Sequence, residues 1–273
     1  MLRWVLRRYD NGTMSQNPSL KDLLDVAMDA AYLGGRRTLA YFNTGVVVDI
    51  KKDQTPVTCA DRESEQIIRQ RIAKSFPGHS IIGEEDGQTP GHPDYRWIID
   101  PIDGTKTFIR GVPMYGVLVG VEVMGRAEVG VVYHPALDEM VSAAKGMGCW
   151  WNGRRCRVSA IDRMEESALL VTDVTRAMKR SDTYEKLAGM TKFQRTWGDC
   201  YGHILVATGR AEIMLDPAMN PWDCAPLLPI LEEAGGKFTT WSGQRTIWGT
   251  DAVSTNSLLH ECVMEVLRGE QRR

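Results

Sequence analysis

The chain has 273 residues, of which 43% are hydrophobic and 25% are charged, and its formal net charge is -2. This composition is typical of an ordinary globular protein, and the charge balance gives no reason to expect a nucleic-acid or membrane-surface partner. The six cysteines form no C-x-x-C pair, and the first segment lacks the apolar core of a signal peptide. No stretch is apolar over the length of a membrane span. We therefore expect a cytoplasmic protein that acts on a small molecule.

The first half of the chain is predicted to contain two helices followed by an antiparallel meander. Residues 1–18 precede the first amphipathic pattern and are expected to form a mobile extension. Caps and periodic apolar residues predict one helix from Ser19 toward Phe42 and another from Asp61 to Phe76. Short apolar runs bounded by turn residues predict strands at 46–50, 81–82, 97–99, 117–123, 129–133 and 140–143.

The second half alternates strands with helices. The runs A-L-L-V-T and A-E-I-M-L predict strands, and helices are expected near 175–189, 200–208, 223–234 and 257–268. This alternation favours a second sheet with helical crossovers. We predict an N-terminal lobe over residues 19–160, with helices and an antiparallel sheet, and a C-terminal α/β lobe over residues 161–273. The whole is expected to be a layered sandwich of the α+β or α/β class, in which helix and sheet layers alternate.

The stretch W-I-I-D-P-I-D-G-T-K-T-F, residues 97–108, carries the strongest chemical signal. An apolar run that stops at an acid is typical of the end of a buried strand, so Asp100 is expected to face a cleft. Asp103 returns a second carboxylate to the same place, and Gly104 permits a sharp entry into a short helix. Free backbone N–H groups from Gly104 onward, together with the Thr105 hydroxyl, could hold phosphate oxygens.

Three further acids are expected near these two. Glu84 and Glu85 follow the predicted strand at 81–82, and Asp223 stands at a predicted helix start. Closely packed carboxylates repel one another unless a cation neutralises them, and oxygen ligands without His or Cys nearby favour Mg²⁺ over Zn²⁺. Each acid alone also fits a helix cap or a solvated surface, so the prediction depends on their combination.

In G-E-E, D-P-I-D-G-T and W-D, in that order, the chain resembles the inositol monophosphatase superfamily of lithium-sensitive, magnesium-dependent phosphatases. The resemblance extends from about residue 19 to residue 268. It implies the layered fold that these enzymes share with fructose-bisphosphatases, two or three Mg²⁺ ions as cofactor, and inhibition by lithium. Because relatives are usually homodimers, it also implies a homodimer.

The resemblance assigns metal-binding roles to five residues. Glu84, Asp100 and the backbone carbonyl of Ile102 would bind the first metal. Asp100, Asp103 and Asp223 would bind the second, so Asp100 would bridge the two ions. The second metal would stabilise the departing alkoxide.

The resemblance also implies a catalytic set. Glu85 and Thr105 would orient the attacking water and help to deprotonate it, since the metal lowers the pKa of that water. Asp103 belongs to both the metal-binding set and the catalytic set. Catalysis would consist mainly of positioning and charge neutralisation, as expected for phosphoryl transfer.

Residues 197–212 and 215–223 resemble the histidinol-phosphate phosphatase branch of the superfamily. Asp199 is predicted at a helix start beside the pocket, and Asp216 lies where inositol-specific relatives use Glu. Two acids beyond the metal ligands would suit a cationic amino alcohol that bears an imidazole, and Asn220 could supply a neutral hydrogen bond. In the alternative interpretation, Asp199 only caps its helix and Asp216 only begins a turn.

We therefore expect Mg²⁺-dependent hydrolysis of L-histidinol phosphate, a step of histidine biosynthesis. A phosphatase for inositol 1-phosphate or a related sugar phosphate is the main alternative. An adenosine 3',5'-bisphosphate phosphatase is less favoured, because Lys106 fits it but an acidic pocket does not, and a non-catalytic regulatory protein is also less favoured. Thr107 stands where relatives commonly carry Asn, and we expect it to change helix capping more than chemistry. The C-x5-R match at Cys149 is discounted, because it contains an Asn-Gly turn instead of a phosphate cradle.

Overall fold

The structure is a computed structural model that describes residues 17–269, so residues 1–16 of the predicted extension lie outside the described residues. Within that range the chain forms eight α-helices and fifteen strands. The helices are α1 (Leu20–Thr38), α2 (Cys59–Ser75), α3 (Thr105–Phe108), α4 (Val174–Arg180), α5 (Thr183–Met190), α6 (Asp199–Ala207), α7 (Pro221–Glu233) and α8 (His260–Leu267). None of these helices combines the length and apolar character needed to cross a membrane.

The strands follow the same chain order. Those of the first half are β1 (Val48–Ile50), β2 (Pro56–Thr58), β3 (His79–Gly83), β4 (Gly87–Thr89), β5 (His92–Asp103), β6 (Gly116–Val123), β7 (Arg126–His134), β8 (Glu139–Ala144), β9 (Cys149–Trp151) and β10 (Arg154–Cys156). Those of the second half are β11 (Ala168–Val171), β12 (Phe193–Arg195), β13 (Ile213–Asp216), β14 (Gly236–Thr239) and β15 (Ala252–Asn256).

Helix layers and sheet layers alternate through the molecule. Helices α1 and α2 pack on one face of an eight-stranded sheet of order β10-β9-β8-β7-β6-β5-β3-β4. Helices α6 and α7 lie between the other face of that sheet and a five-stranded sheet of order β12-β11-β13-β15-β14. Helices α4, α5 and α8 cover the far face of the second sheet. This architecture confirms the predicted layered sandwich.

Strand β5 shows why the central strands read as continuous apolar runs. Trp97 and Ile99 point into the cluster under α1 and α2, whereas Ile98 points into the cluster that contains α6 and α7. Successive side chains alternate between the two faces of a strand, and both faces are covered here. The continuous apolar run therefore marks a strand that is covered on both faces, and it ends at Asp100, the first acid of the predicted site.

The first sheet is mixed, so the predicted antiparallel meander is confirmed from β5 to β10 but is wrong for β3. The pairs from β5 to β10 are antiparallel, but β3 pairs parallel to β5, with Gly83 opposite Ile99. Strand β4 returns beside β3, which lets the chain enter β5 in the same direction as β3. Parallel strands end at the same edge of a sheet, so the residues after Gly83 lie beside Asp100.

The second sheet is also mixed. Strands β12, β11 and β13 are parallel, as the predicted helical crossovers require, whereas β13, β15 and β14 are antiparallel. Three of these strands were not predicted, since β12 and β14 are short and β15 carries the polar run Ser254–Asn256 in a buried position. The helix predicted at 175–189 is interrupted at Ser181 and forms α4 and α5. The lobe boundary at residue 160 stays a prediction.

The helix starts that matter for the site are set by side-chain caps. Ser19 and Asp22 form a capping box at α1, as predicted. Thr58 caps α2, which therefore begins at Cys59 and not at the predicted Asp61. Helix α7 begins at Pro221, two residues before its predicted start, because proline has no N–H to leave unpaired at a helix start.

Helix α7 packs directly on two glycines of the first sheet. A Cβ atom at Gly130 would lie 2.0 Å from the carbonyl oxygen of Pro226, and one at Gly120 would lie 2.7 Å from the Cβ of Ala225. These contacts involve backbone or Cβ atoms, which no rotamer change can move aside. The two glycines therefore set how closely α7, with Asp223 in its first turn, approaches the sheet.

Gly130→Ala is expected to lower the free energy of unfolding by about 1–3 kcal/mol or more, because its methyl group must displace the α7 backbone. Urea unfolding followed by circular dichroism measures the change. Gly189→Ala, near the end of α5, is the matched control, since a Cβ there meets no atom within 4 Å. That variant should be as stable as the parent or more stable by up to about 1 kcal/mol. Equal stability of both variants would contradict the packing argument.

Candidate active site

A cavity of about 350 Å³ opens at the edge where β3 and β5 end. It is lined by seven acids and by two bases, Lys106 and Arg176. Every candidate residue from the sequence lines it except Glu85. The acids are Glu84, Asp100, Asp103, Asp173, Asp199, Asp216 and Asp223.

Asp100, Asp103 and Asp223 form the centre of the cavity. Each offers one carboxylate oxygen, and these oxygens lie within 4.8 Å of one another. Burial, and then the charges of neighbouring carboxylates, raise the pKa values of Asp100 and Asp223 well above the ordinary range. Burial and the Asp199 charge raise the pKa of Asp103 to about 7. The three carboxylates therefore repel one another strongly when ionised, and a cation would relieve that repulsion.

An irregularity in β5 brings the first two acids together. Residues three apart in a regular strand point to opposite faces, so Asp100 and Asp103 would normally diverge. The pairing with β6 shifts register between them, and the Ile102 N–H donates a hydrogen bond of 2.9 Å to Asp100 Oδ1. The one extra residue on β5 turns both carboxylates into the same cavity.

Two helix starts contribute hydrogen bonds to the carboxylates. The Cys200 N–H, in the first turn of α6, donates to Asp103 Oδ2 at 2.6 Å. The Asn220 N–H, at the start of α7, donates to Asp223 Oδ2 at 2.7 Å. The N-terminal end of a helix carries a partial positive charge, so both contacts stabilise the ionised acid. Asp223 also shares a side-chain hydrogen bond with Asp100.

Glu84 and Glu85 follow β3 and share a lysine. The Lys51 ammonium lies 2.8 Å from Glu84 Oε1 and 2.6 Å from Glu85 Oε1. The Glu84 N–H donates to the carbonyl of Ile99, which fixes the end of β3 beside β5. Burial raises the pKa of Glu85 to about 7, although Lys51 opposes the rise. Glu85 therefore changes its charge near neutral pH, as a group that exchanges protons should.

Thr105 contacts an acid that the sequence did not point to. Its Oγ1 donates to the Ile102 carbonyl oxygen at 3.2 Å and lies 3.5 Å from Oδ1 of Asp61. Asp61 is fully buried, and its other oxygen accepts hydrogen bonds from the Thr58 N–H and hydroxyl at the start of α2. The pattern T-C-A-D predicts only such a cap, so nothing local indicated that Asp61 also contacts Thr105.

Gly104 follows Asp103, which is predicted to bind metal, and lies close to Asp199, which is predicted to bind the substrate. It adopts a φ of +81°, and a Cβ there would lie 2.9 Å from Asp199 Oδ2. Both observations explain why this position requires glycine. Its role in holding phosphate stays a prediction.

Two threonines form hydrogen bonds with the acids that are predicted to select the substrate. The Thr107 hydroxyl donates to Asp199 Oδ2 at 3.1 Å, and no side chain caps α3, so the prediction that Thr107 acts mainly on helix capping is wrong. The Asp199 N–H donates to Thr172 Oγ1 at 2.9 Å, and that hydroxyl donates to Asp216 Oδ2 at 2.6 Å. Thr172 thus bridges Asp199 and Asp216, which are far apart in the sequence. Neither its position nor its residue type had indicated this role.

Both interpretations of Asp199 and Asp216 describe part of what is observed. Asp199 is the first residue of α6, at a φ of +52°, and its carboxylate faces the cavity instead of capping α6. Asp216 ends β13 and accepts a hydrogen bond from the Ala218 N–H, so it does begin a turn, but it also lines the cavity. Burial raises the pKa of Asp216 to about 8. Asn220 lies beside them in the cavity wall.

The comparisons with known proteins identify the family of the chain. The model of the inositol monophosphatase family matches residues 19–272. The histidinol-phosphatase of Chlorobaculum parvum is 42% identical over 92% of this chain and 98% of its own length. That of Mycobacterium tuberculosis is 36% identical over 80% of this chain and 86% of its own.

The fold comparison gives the same result. The solved structure of the Thermotoga maritima IMPase superposes with a TM-score of 0.83 at 30% identity, and the match covers 91% of this chain and 98% of that one. The family match extends over nearly all the described residues, including both segments that build the carboxylate cluster. The chain belongs to the inositol monophosphatase family.

Proposed function

We propose that the protein is a Mg²⁺-dependent phosphatase that hydrolyses L-histidinol phosphate to L-histidinol and phosphate. The observation that carries the proposal is a second pair of acids, the half-buried Asp199 and the buried Asp216, held beside the carboxylate cluster by Thr172. The similarity to two histidinol-phosphatases supports the same substrate.

The donor set fits Mg²⁺. Asp100, Asp103 and Asp223 offer hard oxygen ligands, and the cavity wall contains no His or Cys among the described residues. Glu84 and the Ile102 carbonyl would complete the set in the roles that the family resemblance implies. When bound, Mg²⁺ lowers the pKa of a coordinated water and neutralises charge on the phosphate and the departing oxygen.

The protein's own residues would position the water and move its proton. The Thr105 hydroxyl donates to the Ile102 carbonyl, so its oxygen keeps lone pairs that can accept a hydrogen bond from the attacking water. Glu85, with a pKa of about 7, is suited to take up the proton of that water. The water oxygen then bonds to phosphorus, the bond to the histidinol oxygen breaks, and that oxygen takes up a proton.

Charge favours a cationic substrate. Histidinol carries an ammonium group and an imidazole, whereas inositol is neutral. Burial raises the pKa of Asp199, and a cation beside this carboxyl would oppose that rise and be stabilising. Lys106 and Arg176 are the lining residues that match the phosphate charge. Attraction between Asp199 and the ammonium group is therefore the main source of selectivity.

The test is a comparison of kcat/KM for L-histidinol phosphate, inositol 1-phosphate and adenosine 3',5'-bisphosphate, each measured with Mg²⁺. One charged hydrogen bond contributes about 1.5–3 kcal/mol, so we expect a preference for histidinol phosphate of at least about tenfold. A preference for inositol 1-phosphate would reject the substrate proposal and leave the phosphatase proposal intact. The likeness to the Thermotoga maritima IMPase makes that the second candidate function.

Asp199→Asn is expected to raise KM for histidinol phosphate about tenfold and to change KM for inositol 1-phosphate less than about twofold. Asn tolerates the left-handed backbone of this position, so the substitution removes charge without disturbing the start of α6. Asp173→Asn is the matched control, because Asp173 lines the same cavity but its side chain is 43% exposed and its charge is screened. Equal effects of Asp199→Asn on both substrates would contradict a cationic substrate.

A further inference from the structure

Two cysteines face each other at the edge of the first sheet, away from the cavity. Cys149 in β9 pairs with Cys156 in β10, and their Sγ atoms lie 3.4 Å apart. Both are free thiols. We propose that Cys149 and Cys156 are a redox modification site, at which the two thiols close a reversible intramolecular disulfide by exchange with a low-molecular-weight disulfide such as glutathione disulfide.

The hairpin holds the two residues in register. The turn is Asn152-Gly153, with both residues at positive φ, which is the preferred geometry for a two-residue hairpin loop. Directly opposed residues of antiparallel strands have Cα atoms about 4.5–5.5 Å apart, within the range of about 4.4–6.8 Å that a disulfide requires. The sulfur atoms need to approach by only about 1.3 Å to reach bonding distance. Closure therefore needs no change in strand pairing.

The two thiols differ in accessibility and in pKa. Cys156 is half-buried, so an external disulfide can reach it. The hydrogen bond with Cys149 and the Arg210 charge lower its pKa, which favours the reactive thiolate. Cys149 is buried, and its contact with Cys156 and burial raise its pKa. Arg210 is held near by its ion pair with Glu139 and by stacking over Trp151.

The exchange balances without any further reagent. The Cys156 thiolate attacks one sulfur of glutathione disulfide, which forms a mixed disulfide and releases one glutathione thiolate. Cys149 then loses its proton to solvent, and its sulfur attacks Sγ of Cys156 and releases the second glutathione thiolate. Both released thiolates take up protons. The protein loses two protons and two electrons, and one glutathione disulfide is reduced to two glutathione molecules.

The experiment incubates the native full chain with glutathione disulfide and then measures intact mass and disulfide-linked peptides. We expect a species two hydrogen atoms lighter than the starting protein, with Cys149 linked to Cys156, that returns to the starting mass on addition of dithiothreitol. Cys156→Ser should abolish this species. Cys149→Ser should instead gain one glutathione at Cys156, because no second thiol is present to displace it.

Cys262→Ser is the matched control, since Cys262 is also a half-buried free thiol, and this variant should still form the lighter species. The proposal fails if the parent protein gains glutathione without closing, if it does not react, or if the linked pair involves another cysteine. Peptide mapping of the parent protein decides the matter even if a substitution impairs folding. The outcome is independent of the proposed enzymatic function, because neither cysteine lines the cavity.

Discussion

Asp100→Asn is expected to lower kcat/KM for phosphate release by at least about 10³-fold, which corresponds to about 4 kcal/mol of transition-state stabilisation. The reason is its central place in the cavity. Its carboxylate lies among those of Asp103 and Asp223, and the charge of Glu84 also acts on it. An amide is a weak, neutral ligand, so the substitution removes the group proposed to bridge two metal ions.

The loss of activity in Asp100→Asn should not result from unfolding of the variant. Asn replaces a carboxyl whose ionisation the cluster opposes, so metal-free Asp100→Asn should unfold at the same temperature as the metal-free parent or at a higher one. Thermal unfolding in EDTA checks this, and phosphate release in Mg²⁺ measures the activity. Asp94→Asn is the matched control, because Asp94 lies on the same strand with a side chain that is 49% exposed. Activity of Asp100→Asn within tenfold of the parent would contradict the assigned role.

In the metal-free protein, the free energy of unfolding is expected to fall as pH rises from about 5 to about 8. Asp103 and Asp216 have pKa values of about 7 and about 8 in the folded protein, both above the unfolded value of about 3.9. The folded state therefore binds more protons than the unfolded state in this range, and stability is lost as pH rises. Each group contributes a slope of up to about 1.4 kcal/mol per pH unit.

Urea unfolding in EDTA at several pH values measures this slope. Mg²⁺ should reduce it, since a cation favours the ionised form of Asp103, and should stabilise the protein more at pH 8 than at pH 5. Asp216→Asn should remove the contribution of Asp216 with or without Mg²⁺. A free energy of unfolding that rises with pH in EDTA would show that these carboxyls are not held in the protonated form.

The parts of the site that lie close together in sequence were predictable. Asp100, Asp103 and Gly104 follow one buried strand, and the three residues line one cavity, as expected. Local patterns also placed most of the helices, because amphipathic periodicity and caps act within a few residues. The layered fold followed from the order of these elements and from the family resemblance.

The parts that depend on distant pairing were not predictable from local patterns. Glu84 was expected in the site only because of the combination of acids and the family resemblance. The parallel pairing of β3 with β5 places Glu84 beside Asp100, and no local pattern specifies that pairing. Asp61 and Thr172 meet their partners, Thr105 and Asp216, across 44 residues in each case. In the sequence each has an adequate local explanation, as a cap or a strand end. Their place in the site appears only when the chain is folded.

Phosphate release from L-histidinol phosphate, measured on one sample as purified, after chelation and after re-addition of Mg²⁺, tests the central claim most directly. The cavity geometry predicts release that is lost on chelation, returns with Mg²⁺ and does not return in Asp100→Asn. Release that continues at an equal rate without a divalent cation, or no release with Mg²⁺ at any pH from about 6 to about 9, would contradict it.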